Sequence, residues 1–152
     1  MNILILNGPN LNMLGIREPH IYGCVSYGEL IESVRRYCLS AGAEAAFFQS
    51  NHEGELIDRI QRAYGLADGI IINPAAYTHT SVALYDALMA VGIPAVEVHL
   101  TDPGLREEFR RVSLIRGACI GAVCGKGIKG YFEAVDLLVD CVGGRRNGGG
   151  RA

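Results

Sequence analysis

Short, nearly continuous apolar runs recur at residues 3–6, 45–48, 69–72, 95–98 and 119–123, and helix-period patterns fill most of the gaps between them. Runs of this kind suit strands covered on both faces, and their alternation with helices predicts βα units that feed a parallel sheet. Ser26-Tyr-Gly-Glu29 has the form of a capping box, so a helix is expected from there to about Ala41, closed by Gly42 in the left-handed region. Further helices are expected over about 53–63, over 81–90 before the stop signals Gly92 and Pro94, in a short charged stretch at 105–111, and over 131–142.

With 152 residues and an apolar fraction of 49%, the chain suits one domain with one core, expected over residues 1–142. Five strands with helices on both faces predict an α/β, flavodoxin-like three-layer sandwich with strand order 2-1-3-4-5 and right-handed crossovers. The tail 143–152, rich in Gly and Arg, has nothing to bury and is expected to be disordered. Fourteen basic against sixteen acidic residues, without a basic stripe, argue against a nucleic-acid partner. The apolar runs are too short to span a bilayer and no charged leader precedes the first strand, so a soluble, cytoplasmic protein is expected.

Polar and special-backbone residues crowd the stretch from Asn7 to Cys24, just where the first strand ends. In open α/β sheets ligands bind at that edge, which makes Asn10, Asn12, Arg17 and Tyr22 candidate chemistry. Two more polar clusters follow the third and fourth strands: Asn73-Pro-Ala-Ala-Tyr-Thr-His79-Thr-Ser81 and Glu97-Val-His99-Leu-Thr101-Asp102. Parallel strands in the expected order bring all three clusters to one crevice. Glu97 and His99 are two apart on a strand and share a face, either as an acid/base dyad or as an ion pair that caps the strand. A tyrosine is a poor base near neutral pH unless a cation stabilises its phenolate, and Arg17 could do this for Tyr22. The segment from Asn73 to His79 leads toward a helix N-terminus, which suits an anionic or hydroxyl-rich ligand, although Thr78 to Ser81 could also be a plain cap. Arg106 and Arg110, four apart on the short charged helix, could reach the crevice mouth, whereas Arg111 and Arg116 are expected to face solvent.

Several chemistries lack their signatures. No Gly-x-Gly-x-x-Gly or phosphate-loop motif follows the first strand, which argues against a dinucleotide, a nucleoside triphosphate or a flavin phosphate. The four histidines (His20, His52, His79, His99) show no metal-ligand spacing, and the two lysines, Lys126 and Lys129, lie in a Gly-rich turn unsuited to a Schiff base. Five cysteines without a C-x-x-C pair signal neither a disulfide framework nor zinc; only Cys24, beside the polar loop, merits testing as a nucleophile.

The segments Asn7-Gly-Pro-Asn-Leu-Asn-Met-Leu-Gly-x-Arg17-Glu-Pro-x-x-Tyr22-Gly, Gln49-Ser-Asn-His-Glu-Gly-Glu-Leu56, Asn73-Pro-x-x-x-Thr-His-Thr-Ser81 and Glu97-Val-His99 together resemble the type II 3-dehydroquinate dehydratases, in register from Ile3 to about Leu138. The resemblance implies a flavodoxin-like subunit in a homo-oligomer, a dodecamer of four trimers, with no metal or organic cofactor. It further implies trans elimination of water from 3-dehydroquinate through an enolate. Tyr22 would be the base, aided by Arg17, and His99, oriented by Glu97, the acid. Asn10 would hold a water on the enolate oxygen. Asn73 with the backbone N–H groups of Leu100 and Thr101 would take the substrate carboxylate, and His79 and Arg110 the ring hydroxyls. Asp86 would reach a neighbouring subunit's site. The chain departs from the family pattern at Thr101-Asp-Pro-Gly104, where Asp102 and Pro103 change charge and stiffness beside the pocket. Two other readings remain open from the residues: a non-catalytic flavodoxin-like module for a nucleotide or flavin, and a homologue that binds without turnover.

Overall fold

The computed structural model describes residues 1–16 and 25–148, the last four by their backbone alone. Five parallel strands form one sheet: β1 (Asn2–Asn7), β2 (Glu44–Gln49), β3 (Gly69–Asn73), β4 (Ala95–His99) and β5 (Gly121–Cys124), in the order β2-β1-β3-β4-β5. Four α-helices cover it: α1 (Tyr27–Ser40), α2 (Glu53–Arg62), α3 (Val82–Val91) and α4 (Lys129–Gly148). The expected fold class and strand order are those observed.

Alternation along the inner strands divides the core in two. Ile3, Ile5, Ile71, Val96 and Val98 pack with Leu30 and Val34 of α1 and with Tyr131, Val135 and Leu138 of α4. Leu4, Leu6, Ile70, Ile72 and Ala95 pack with Leu56 and Ile60 of α2 and with Leu84 and Leu88 of α3. Side chains two apart on a strand share a face. Asn73 therefore leaves β3 toward the α1/α4 layer, while Glu97 and His99 leave β4 toward the α2/α3 layer. The register sets Asn7 beside Asn73 and His99 beside Cys124, so these polar groups share the carboxyl edge.

Local signals act as the sequence indicates at most helix ends. Ser26 accepts from the Glu29 N–H, the Glu29 carboxylate accepts from the Ser26 N–H, and Gly42 takes φ 71° after α1. Ser81 caps α3 by accepting from the Leu84 N–H, and Gly92 ends it at φ 63°. The charged stretch 105–111 is a correction: it folds into 3-10 turns at Pro103–Leu105 and Glu108–Arg110 rather than an α-helix. Leu105 and Phe109 are largely exposed, so the segment has no apolar stripe whose burial would offset helix nucleation. The fifth strand begins and ends later than the apolar run, at Gly121–Cys124. The backbone of α4 stays helical through Gly148, six residues past the expected end at 142. Among the described residues no helix is long and apolar enough to cross a membrane.

Candidate active site

A cavity of about 310 Å³ opens at the carboxyl ends of β1, β3 and β4. Asn10, Asn73, His79, His99, Leu100, Thr101 and Arg110 all line it, as do Pro103 and Arg106. Its volume is that of a small-molecule site. Three parts of the chain far apart in sequence thus converge as the strand order predicts. Arg17 and Tyr22 lie outside the described residues, as do His20 and Cys24.

On the β4 side, His99 is 8% exposed and its Nε2 lies 2.7 Å from Glu97 Oε1. Glu97 is fully buried. Burial alone would raise its carboxyl pKa, but hydrogen bonds from His99, Thr78 and Ser113, with the charge of His99, outweigh that and hold it at about 2. A carboxylate this acidic accepts only, so Nε2 of His99 carries the proton and Nδ1 is the ring nitrogen left for a ligand. The anchoring is more elaborate than the Glu-x-His spacing discloses. Thr78 Oγ1 donates to Glu97 Oε1, Ser113 Oγ lies 2.9 and 3.0 Å from the two carboxylate oxygens, and Arg116 Nε lies 3.4 Å from Oε2. Thr78 is therefore no helix cap, since Ser81 fills that role. Arg116 exposes 54% of its side chain, as expected of a solvated arginine, yet turns its Nε onto the buried carboxylate.

On the β3 side, the Asn73 amide is fixed from below. Asn73 Nδ2 donates to the Tyr131 hydroxyl (3.1 Å), which donates to Asn7 Oδ1 (2.6 Å), and Asn7 Nδ2 donates to the Tyr27 hydroxyl (3.2 Å). Tyr131 is completely buried, and desolvation drives its phenol pKa far above the usual value, so it remains a neutral donor. Asn73 Oδ1 accepts from the Ala75 N–H, which closes a turn that puts Ala75 at φ 51°. Asn10 is the other non-glycine residue at positive φ among the described residues, at 67°. Both line the cavity, and such strained backbone concentrates at functional sites. The 3-10 turn Ala75–His79, rather than the N-terminus of α3, forms this wall. A carbonyl only accepts, so the contact of His79 Nδ1 with the Val112 oxygen (2.7 Å) makes Nδ1 the donor and leaves Nε2 for a ligand.

Arg106 and Arg110 both reach the mouth without the α-helix expected to carry them, and both lie near the Glu107 carboxylate, at 3.5 and 3.0 Å. Asn12 stays outside the cavity and accepts from Gln49 Nε2 (3.4 Å). Asp86 lies on the exposed side of α3, away from this subunit's cavity. In the departing loop, Pro103 lines the cavity, but Asp102 does not: its Oδ1 accepts from the Gly104 N–H (2.8 Å). Burial raises the thiol pKa of Cys38 to about 11 and of Cys119 to about 12, so both stay neutral thiols near neutral pH. No cluster of metal-ligating side chains occurs among the described residues.

The dehydroquinase class II family model matches residues 1–139. A 3-dehydroquinate dehydratase from Carboxydothermus hydrogenoformans is 54% identical over 98% of this chain and 97% of its own length. A catabolic 3-dehydroquinase 1 from Aspergillus fumigatus is 52% identical over 89% of this chain and 90% of its own. The crystal structure of type II dehydroquinase from Butyrivibrio crossotus superposes with a TM-score of 0.89 at 51% identity, covering 91% of this chain and 97% of that one. With its strand order, its carboxyl-edge cavity and these likenesses in agreement, the chain belongs to the class II dehydroquinase family.

Proposed function

We propose that this protein eliminates water from 3-dehydroquinate to give 3-dehydroshikimate, as a hydro-lyase of the shikimate/quinate pathway. The observation that carries the reading is a buried imidazole, oriented by a fully buried carboxylate, in the wall of a cavity that also presents Asn73, His79 and Arg110. In the proposed reaction Tyr22, as phenolate stabilised by Arg17, takes the proton beside the ketone. The resulting enolate is met by a water held on Asn10. Its collapse expels the ring hydroxyl, which leaves as water with a proton from His99 Nδ1. Asn73 and the N–H groups of Leu100 and Thr101 hold the substrate carboxylate; His79 Nε2 and Arg110 hold the ring hydroxyls. The scheme needs neither a Schiff base nor a metal or organic cofactor. Asp86 is proposed to face a neighbouring subunit's site in a cytoplasmic dodecamer built from four trimers.

Purified protein given 3-dehydroquinate should gain absorbance in the near ultraviolet as the conjugated product forms, with no loss after borohydride. Tyr22→Phe and His99→Ala should each lower kcat by roughly 10²-fold or more while remaining folded. Wild-type turnover rates in both variants would remove the assignment.

A further inference from the structure

Arg116 lies on the 3-10 turn Ile115–Ala118 and is absent from the cavity lining. It meets Glu97 at Oε2, the oxygen that His99 leaves free, with Nε at 3.4 Å. Two further contacts tie it there. Its backbone N–H donates to Ser113 Oγ (3.1 Å), and its Nη2 donates to Cys124 Sγ (3.5 Å), on the residue that pairs with His99 across the sheet. A cation therefore reaches the buried carboxylate from outside the cavity, while the imidazole reaches it from within.

We propose that Arg116 is a positioning residue that shares the Glu97 carboxylate with His99 and so sets how readily the imidazole releases its proton. The carboxylate has one negative charge to divide. The more of it Arg116 neutralises, the less remains to stabilise an imidazolium at His99, and the stronger an acid that imidazolium becomes. Because about half of the Arg116 side chain is in water, screening keeps the effect moderate. The other ionisable groups around the pair are few. Cys119, beside Glu97, stays a neutral thiol; Cys124 flanks it on β5, with Asp102 beyond; His79, Arg106 and Arg110 face it across the cavity. Of the arginines, Arg116 is the one in contact with Glu97 among the described residues.

The kinetic half of this inference rests on the dehydratase reading; the titration half does not. In Arg116→Met, histidine NMR of the ligand-free protein, with the His99 signal assigned by its loss in His99→Asn, should show His99 protonating at a higher pH than in wild type. The basic limb of the kcat profile should move up with it, KM at neutral pH should change less than about twofold, and Arg116→Lys should restore most of the wild-type position. A merely structural arginine would lower stability or kcat without moving either pH curve. If Arg116→Met does not fold, Arg116→Gln, which keeps a donor but not the charge, is measured in the same way. His99 titrating at the wild-type pH in the neutral variant overturns the proposal, whatever happens to the rate. Absence of turnover in wild type would instead strike the dehydratase reading and leave the titration to decide the role of Arg116.

Discussion

A carboxylate without solvent is tolerable only while donors surround it, and Glu97 has His99, Thr78, Ser113 and Arg116 about it. Its carboxyl titrates at about 2 in the folded chain against an ordinary value of 4.5. A depressed acid stabilises the fold above its unfolded pKa and loses that contribution as pH falls toward the folded one. This group alone should therefore withdraw about 3 kcal/mol of unfolding free energy between pH 4.5 and 2. Urea titrations at successive pH values should show Glu97→Gln to be less stable at pH 7 and flatter with pH below 4.5; an unchanged slope would show that the carboxyl is not held so low. Asp102 offers the opposite case, since its charge is spent on the Gly104 N–H outside the cavity. Asp102→Asn should change KM less than about twofold, measured by initial rates in the dehydration assay. The Glu97–His99 pair was legible because two-residue spacing on a strand fixes a common face. Ser113 and Arg116 were not, because they meet Glu97 from 16 and 19 residues away, across a turn whose path no local pattern encodes. Ala75 gave no signal at all, since its left-handed backbone is imposed by its neighbours and not by its methyl group.

At the scale of elements, capping chemistry and burial periodicity each predict a different kind of boundary. The Ser26 box marks the start of α1, and Ser26→Ala should cost about 1 kcal/mol, or roughly 2–4 °C in Tm by calorimetry. An undiminished Tm would mean that the cap is redundant. The turn after β1 is more demanding. A Cβ on Gly8 would lie 2.5 Å from the Pro74 carbonyl oxygen, so the β1 and β3 loops meet backbone to backbone beneath the cavity. Gly8→Ala should therefore both lower Tm, by more than the cap variant does, and raise KM, because Asn73 and Ala75 flank Pro74, which must yield. Burial decides the helix limits that local composition leaves open. Residues 105–111 have helix-forming composition but expose their apolar side chains, whereas α4 is anchored by Tyr131, Ala134, Val135 and Leu138 and carries helical geometry into a glycine-rich segment.

Across the whole molecule, five apolar runs and the parallel-sheet rules were enough to give the strand order and the edge on which chemistry gathers. Assembly is a different matter, because a single chain's periodicity reports what it buries in itself. Val82, Met89, Phe109 and Val112 remain exposed to half or more of their surface. Sedimentation should give about twelve times the 16.3 kDa chain mass, and a monomer at all concentrations would refute the proposed assembly. The carboxyl edge holds the cavity, while the reversals from α1 to β2, α2 to β3 and α3 to β4 lie at the other end of the strands, around Gly42, Gly65 and Gly92, where an added Cβ would touch nothing. A tether spliced in at Gly65 would thus hold the enzyme by its back and leave the mouth facing outward, which makes that reversal a natural point for fusion or immobilisation.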